Sequence, residues 1–154
     1  MLTDPFHTNR ITSTIIGAAI RVHRATGPGL LESVYCPCLV VELQESGLSV
    51  LLQCPIPLIY RETRLDAGYR ADMLVEETVL VELKSVELLA PIHTAQVLTY
   101  LKLSGKPVGL LINFNVPVLK GGVKRVLNPN MRNSERGSDA PRSHRRNGEA
   151  EKRK

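Results

Sequence analysis

Gly68-Tyr-Arg-Ala-Asp-Met-Leu-Val-Glu-Glu-Thr-Val-Leu-Val-Glu-Leu-Lys84 is the stretch that decides the fold. Apolar and polar residues alternate from Tyr69 to Val75, and Val79, Leu80 and Val81 follow as a short apolar run rich in β-branched residues. The stretch reads as two antiparallel strands joined by a tight turn at Glu76-Glu77. In such a hairpin, residues whose numbers sum to about 153 or 154 face each other, which sets Asp72 opposite or diagonal to Glu82. Side chains repeat every second residue along a strand, so Glu82 and Lys84 share a face. Two carboxylates this close across a sheet repel unless something positive sits between them. A divalent cation, with Lys84 alongside, would satisfy that arrangement.

Upstream, Ile11, Ile15, Ala18, Ala19 and Val22 recur at helical spacing, with Arg10, Arg21 and Arg24 on other faces. They predict a helix over residues 8–26, stopped by Gly27-Pro28-Gly29. A second helix is expected from about Leu31 to Ser46, with Leu31, Val34, Tyr35, Leu39 and Leu43 as its core stripe and Gly47 after its end. Pro37 is awkward inside it, because a proline beyond the first turn costs about 3 kcal/mol, so a late start or a bend is expected. Leu48–Leu52 and Ile56–Tyr60 are strand candidates, with Pro55 and Pro57 marking an edge, and Arg61–Arg64 reads as a turn.

Downstream, Pro91 suits the first turn of a helix over Pro91–Leu103 whose stripe is Ile92, Val97, Leu98 and Leu101, ended by Gly105. Val108–Ile112 is apolar throughout apart from Gly109, as in the middle of a covered sheet. Val116–Leu119 and Val123–Leu127 flank Gly121-Gly122 and suggest an edge strand or hairpin. The order helix, helix, strands, helix, strand predicts an α/β fold: a small mixed β-sheet flanked by helices.

The chain of 154 residues suits one domain, assigned to residues 1–128. Residues 129–154 hold only Met131, Ala140 and Ala150 as apolar residues and are expected to be a basic, disordered tail. That tail carries eight Lys or Arg against four acids, so it accounts for four of the five net positive charges and leaves the domain near neutral. A strongly basic nucleic-acid face is therefore not indicated. Nothing approaches the roughly 18 apolar residues of a membrane helix. No secretory signal is visible at MLTDPFHTNR, which makes a cytoplasmic location the expectation. Cys36-Pro-Cys38 and Cys54 have the wrong spacing for a zinc site and suit reduced, packed thiols.

The hard oxygen ligands of Asp72 and Glu82, with the backbone carbonyl of Leu83 as a third, suit Mg²⁺ or Mn²⁺ rather than zinc. Lys84 could position or help deprotonate a water, or stabilise charge on a phosphate. A metal that acidifies water and neutralises a phosphorane-like transition state is the usual route to phosphodiester cleavage. Against this stands an exposed hairpin with a minor Glu82–Lys84 surface pair, since Asp-x₉-Glu-x-Lys recurs by chance.

Asp72…Glu82-Leu83-Lys84, set between a helix and a helix–strand unit, resembles the PD-(D/E)xK nuclease superfamily. Gly29-Leu-Leu-Glu32-Ser-Val-Tyr35 is similar to the signature of the GxxExxY protein family, as are Ile16–Ala19, Val22-His23, Gly68–Asp72, Gln96-x₃-Tyr100 and Leu111–Asn115. The resemblance covers about residues 10–128. It implies a restriction-endonuclease-like core with Asp72, Glu82, Leu83 and Glu32 at a metal and Lys84 as catalytic lysine. It also implies a functional role for Gln96 and Tyr100, which share a helix face four residues apart. Each residue has a plainer role beside this. Glu32 could favour the helix dipole, Tyr35 and Tyr100 could pack, and His23 could complement a helix end. Cys36-Pro-Cys38 departs from the family pattern just after Tyr35.

Two functions follow: a divalent-metal-dependent nuclease acting on DNA ahead of RNA, or a catalytically silent binding or regulatory module with the same fold. Two Phe, four Tyr and no Trp leave no obvious base-stacking platform, which favours the second. Nucleic acid is the expected partner. So short a chain, without a further DNA-binding domain, could build its groove as a homodimer.

Overall fold

In the computed structural model, which describes residues 4–131, the first helix begins at Pro5, three residues ahead of the expected start and six ahead of Ile11, the first residue of its apolar period. Asp4 accepts the Phe6 N–H at 3.0 Å and Pro5 takes the first helical position, so the cap precedes the first core contact. Helix α1 (Pro5–Thr26) buries Ile11, Ile15, Ala18, Ala19 and Val22 as expected.

Helix α2 (Glu32–Glu45) starts at Glu32 and runs through Pro37, so the late start does not occur. The Ser33 carbonyl loses its helical donor there, since proline has no N–H. Tyr35, Leu39 and Leu43 are buried, but Leu31 and Val34 are 71% and 41% exposed. The helix is apolar on more than one side, and only the side carrying those i, i+4 residues meets the sheet. Its end is a Schellman motif: Leu48 N–H donates to Leu43 O and Gly47 N–H to Gln44 O, with Gly47 at φ 79°. That turn uses Gly47 and Leu48, so the first strand starts at Val50 instead of Leu48.

The remaining elements are β1 (Val50–Pro55), β2 (Leu58–Tyr60), β3 (Thr63–Leu65), β4 (Arg70–Val75), β5 (Val79–Lys84), α3 (Pro91–Ser104), β6 (Val108–Asn113) and β7 (Val123–Leu127). Five strands form one sheet in the order β1-β4-β5-β6-β7, and β2 and β3 form a separate ribbon. The Arg61–Arg64 turn is narrower than expected: Arg61 and Glu62 make the bend at φ 48° and 65°, while Thr63 and Arg64 belong to β3. In the opening hairpin Met73 faces Val81 and Val75 faces Val79. Strands β5 and β6 are parallel and joined through α3, whereas β4–β5 and β6–β7 are antiparallel. Val116–Leu119 is not a strand. It leads into a 3-10 turn at Leu119–Gly122 so close to β6 that a Cβ on Gly122 would collide with the Asn113 carbonyl.

The sheet divides the core. One buried cluster lies against α1 and α2 and includes Tyr35, Leu39, Met73, Val81, Leu110 and Phe114. A smaller one lies against α3 and includes Leu74, Leu80, Val97, Tyr100, Leu101 and Leu111. The molecule is thus a mixed α/β sheet with helices on both faces. No helix among the described residues is long and apolar enough to cross a membrane. Buried Asn128 donates to Leu101 O and Lys106 O and accepts the Asn130 N–H. Residues 132–154, most of the expected tail, lie outside the described residues.

Candidate active site

The β4–β5 ladder stops at Met73 and Val81, one residue short of Asp72 and Glu82. There side chains take over from the backbone: Glu82 Oε1 accepts the Asp72 N–H at 2.9 Å, and Asp72 Oδ2 accepts the Leu83 N–H at 2.8 Å. The two carboxylates thus lock each other's strands together in the gap between them. Lys84 O accepts from Phe114 N–H on the β6 side. By the alternation of a strand, the N–H and C=O of Leu83 therefore turn toward β4 and Asp72.

A change of faces produces the gap. Val50 and Met73 pack on the α1–α2 side, whereas Cys54 and Ala71, two or four residues along the same strands, pack on the α3 side. Regular alternation would keep each pair on one side. The reversal lies between, at Gln53 and Asp72, which oppose each other in a register otherwise unbroken on both sides. Gln53 takes φ 50° to make it.

Glu32 arrives from the other layer. Gly29, at φ 94°, bends the chain ahead of α2, and Tyr35 fixes that bend from below. The Tyr35 hydroxyl donates to Gly27 O at 2.7 Å and accepts the Leu30 N–H at 3.1 Å, while its ring stacks on Phe114 at 4.3 Å. Glu32 Oε1 then accepts the Ser85 N–H at 3.2 Å, and Ser85 Oγ donates to Leu30 O at 2.6 Å. Gly29, Glu32 and Tyr35 therefore form one device, in which glycine turns the chain, tyrosine anchors it and glutamate is delivered to the end of β5. His23 is structural: it is buried, and its Nε2–H donates to Val116 O at 2.8 Å.

The charges explain each other. Glu82 is 5% exposed, and burial first, then the charge of Asp72, pushes its carboxyl up to about 7. Asp72 is also raised, by burial above all and then by Glu32, against the Leu83 N–H and Lys84, which lower it. Both acids feel Lys84 as the opposing cation. On the α3 side, Gln96 Nε2 donates to Tyr100 Oη at 3.1 Å. Burial raises the Tyr100 phenol, and the charges of Glu82 and Asp72 add to that, which sets this helix face beside the two acids. Glu32, Asp72, Glu82 and Lys84 thus share one electrostatic site. Gln96 and Tyr100 border it and bond each other rather than the carboxylates.

A cleft of about 320 Å³ opens beside the acids, lined by Glu32, Ser33, Cys36, Pro37, Gln53, Asp72 and Leu83. Among the described residues, no group of three or more His, Cys, Asp or Glu is assembled to hold a metal ion. The donor chemistry nonetheless suits a hard divalent cation. Asp72 and Glu82 each bond backbone through one oxygen only, and their raised proton affinity marks a site short of positive charge.

The family model of the PD-(D/E)XK nuclease superfamily matches residues 9–126. The chain belongs to that superfamily. No curated protein and no solved structure matches it. PD-(D/E)XK proteins are generally nucleases, typically using divalent metals, so membership points to a nucleic-acid substrate. The match reaches the superfamily, and the GxxExxY assignment rests on the motif residues alone.

Three positions of this PD-(D/E)XK site escaped sequence reasoning. Gln53 gave no signal, because the β2–β3 ribbon between it and Asp72 hides their register. Ser85 is the backbone partner of Glu32 and could have been suspected only from its place after Lys84. Buried Asn113 holds the loop after Lys84 by accepting the Val86 N–H and donating to Val86 O, and its place in the Leu111–Asn115 motif was the available hint.

Proposed function

We propose that the protein is a divalent-metal-dependent nuclease that hydrolyses phosphodiester bonds in DNA ahead of RNA. The observation that carries this is the reciprocal locking of Asp72 and Glu82 across the end of the β4–β5 ladder, with Glu32 and Lys84 in the same field. Asp72, Glu82, Glu32 and the Leu83 carbonyl would hold Mg²⁺ or Mn²⁺. The metal, when bound, would supply a more acidic water and neutralise charge on the phosphate. Lys84 shares the Glu82 face and would donate to a phosphate oxygen or orient the attacking water, whose oxygen joins phosphorus as the P–O bond to the leaving oxygen breaks. Gln96 and Tyr100 would bind phosphate from the α3 side, where the raised phenol stays a donor. Motif residues Gly29, Glu32 and Tyr35 support placement in the GxxExxY family. Three unpaired cysteines suit the reducing cytoplasm.

Purified protein is expected to cut DNA with Mg²⁺ or Mn²⁺, and Asp72→Ala or Lys84→Ala to lower the rate by about 10²-fold or more. Cutting that survives Asp72→Ala would show that the site is elsewhere. The second reading, a silent binding module, is favoured by the carboxylates being engaged by backbone and by no three-ligand cluster being assembled among the described residues. Calorimetric titration separates the two: an active site binds Mn²⁺ and Glu82→Gln weakens that binding, whereas a silent module shows neither effect. A homodimer would extend the groove, and light scattering would detect it.

A further inference from the structure

Within the five-stranded sheet one non-glycine residue has a positive φ, Gln53 at 50°. The other such residues among those described are Arg61, Glu62, Glu76 and Glu77, all at hairpin turns. Glycine would take this φ without steric penalty, and asparagine would tolerate it better than glutamine does. The face reversal opposite Asp72 needs the backbone angle, but it does not need a glutamine. The long side chain is what this position adds.

That side chain belongs to the edge strand β1, in the cleft with Glu32, Asp72 and Leu83, and has no hydrogen-bond partner among the described residues. The strand Val50–Pro55 carries no charge of its own. Glu32 and Asp72 line the cleft and no Lys or Arg does, so a phosphate entering it meets repulsion from two carboxylates. A neutral amide on the open edge offers donors without adding negative charge.

We propose that Gln53 is a substrate-contacting residue, whose carboxamide N–H donates to a phosphate oxygen of the nucleic-acid strand lying across Asp72. This rests on the nuclease reading. Strain in a sparsely populated backbone region is then kept because it aims a binding group, as such strain at functional sites often does.

The test compares Gln53→Gly and Gln53→Asn with the wild type in the full chain. Thermal unfolding and DNA cleavage with Mn²⁺ are measured for each. Binding of a short fluorescein-labelled DNA is followed by anisotropy on a Lys84→Ala background, where the probe survives. Gln53→Gly is expected to raise Tm by a few degrees, yet to weaken DNA binding about ten-fold and raise KM more than it lowers kcat. Gln53→Asn, which keeps an amide, is expected to recover part of the binding. If Gln53→Gly binds and cuts like the wild type, the contact does not exist and Gln53 only shapes the strand. If the wild type neither binds nor cuts DNA, the nuclease reading falls and takes this contact with it.

Discussion

Glu82 shows what it costs to bury one acid beside another, even with Lys84 opposing them. Its carboxyl sits at about 7 in the folded protein against 4.5 for the ordinary value, because it is buried beside Asp72. Between those values the folded chain holds a proton that the unfolded chain has released, so metal-free stability falls as pH rises. The contribution is present in full below the unfolded value and is lost as pH climbs through the folded one, a span on the order of 3 kcal/mol. In EDTA, the wild type should therefore lose stability relative to Glu82→Gln between about pH 4.5 and pH 7. Urea unfolding of both proteins across that range measures it, and a constant difference would contradict the raised carboxyl. Because a metal competes with the proton, the Tm gain from Mn²⁺ should grow toward the upper end of the window. Parity along two strands was enough to bring Asp72 and Glu82 together from sequence. It could not show that each carboxylate bonds the other strand's backbone, since that depends on where the ladder stops.

At the scale of elements, the close approach of α3 to the sheet turns on Gly109. A Cβ there would lie 2.7 Å from Val97 Cγ1, with Leu101 Cδ1 at 3.6 Å. Gly109→Ala is expected to push α3 outward and destabilise the protein by about 1–3 kcal/mol, measurable by thermal or urea unfolding. Cleavage should fall as well, since Gln96 and Tyr100 ride on that helix, whereas an unchanged Tm would mean that Val97 moves aside freely. The hairpin and the apolar strand Val108–Asn113 were legible because their patterns are clean, and α3 because Pro91 and Gly105 punctuate its ends, although Ile92 of its expected stripe is exposed. Helix α2 was legible in extent but not in orientation: Leu31 and Val34 fit the period as well as Tyr35 does, and only packing chooses among them. Of the edge strand or hairpin expected from Val116–Leu119 and Val123–Leu127, the edge strand forms at the second segment alone, since the apolar residues of the first fit either period and the contact of Gly122 with β6 decides for a turn.

For the whole molecule, the sheet separates two half-cores of unequal size, the larger under α1 and α2 and the smaller under α3. Sequence identified most members of both but not the partition, because the strands that change faces at Gln53 and Asp72 contribute to each. The inequality has a consequence for motion. Lifting α3 exposes far less apolar surface than lifting α1 and α2, so the native state should open first along the α3 layer. Native-state hydrogen exchange is expected to show α3 amides exchanging through a sub-global opening of lower free energy than those in the middle of α1. Equal opening energies for the two helices would indicate a single cooperative unit. In the opened form Tyr100 and Gln96 swing away while Asp72 and Glu82 keep their hold on each other's strands. The carboxylate pair would then keep its geometry while the α3 flank of the site comes apart, so the two halves of the site differ in rigidity.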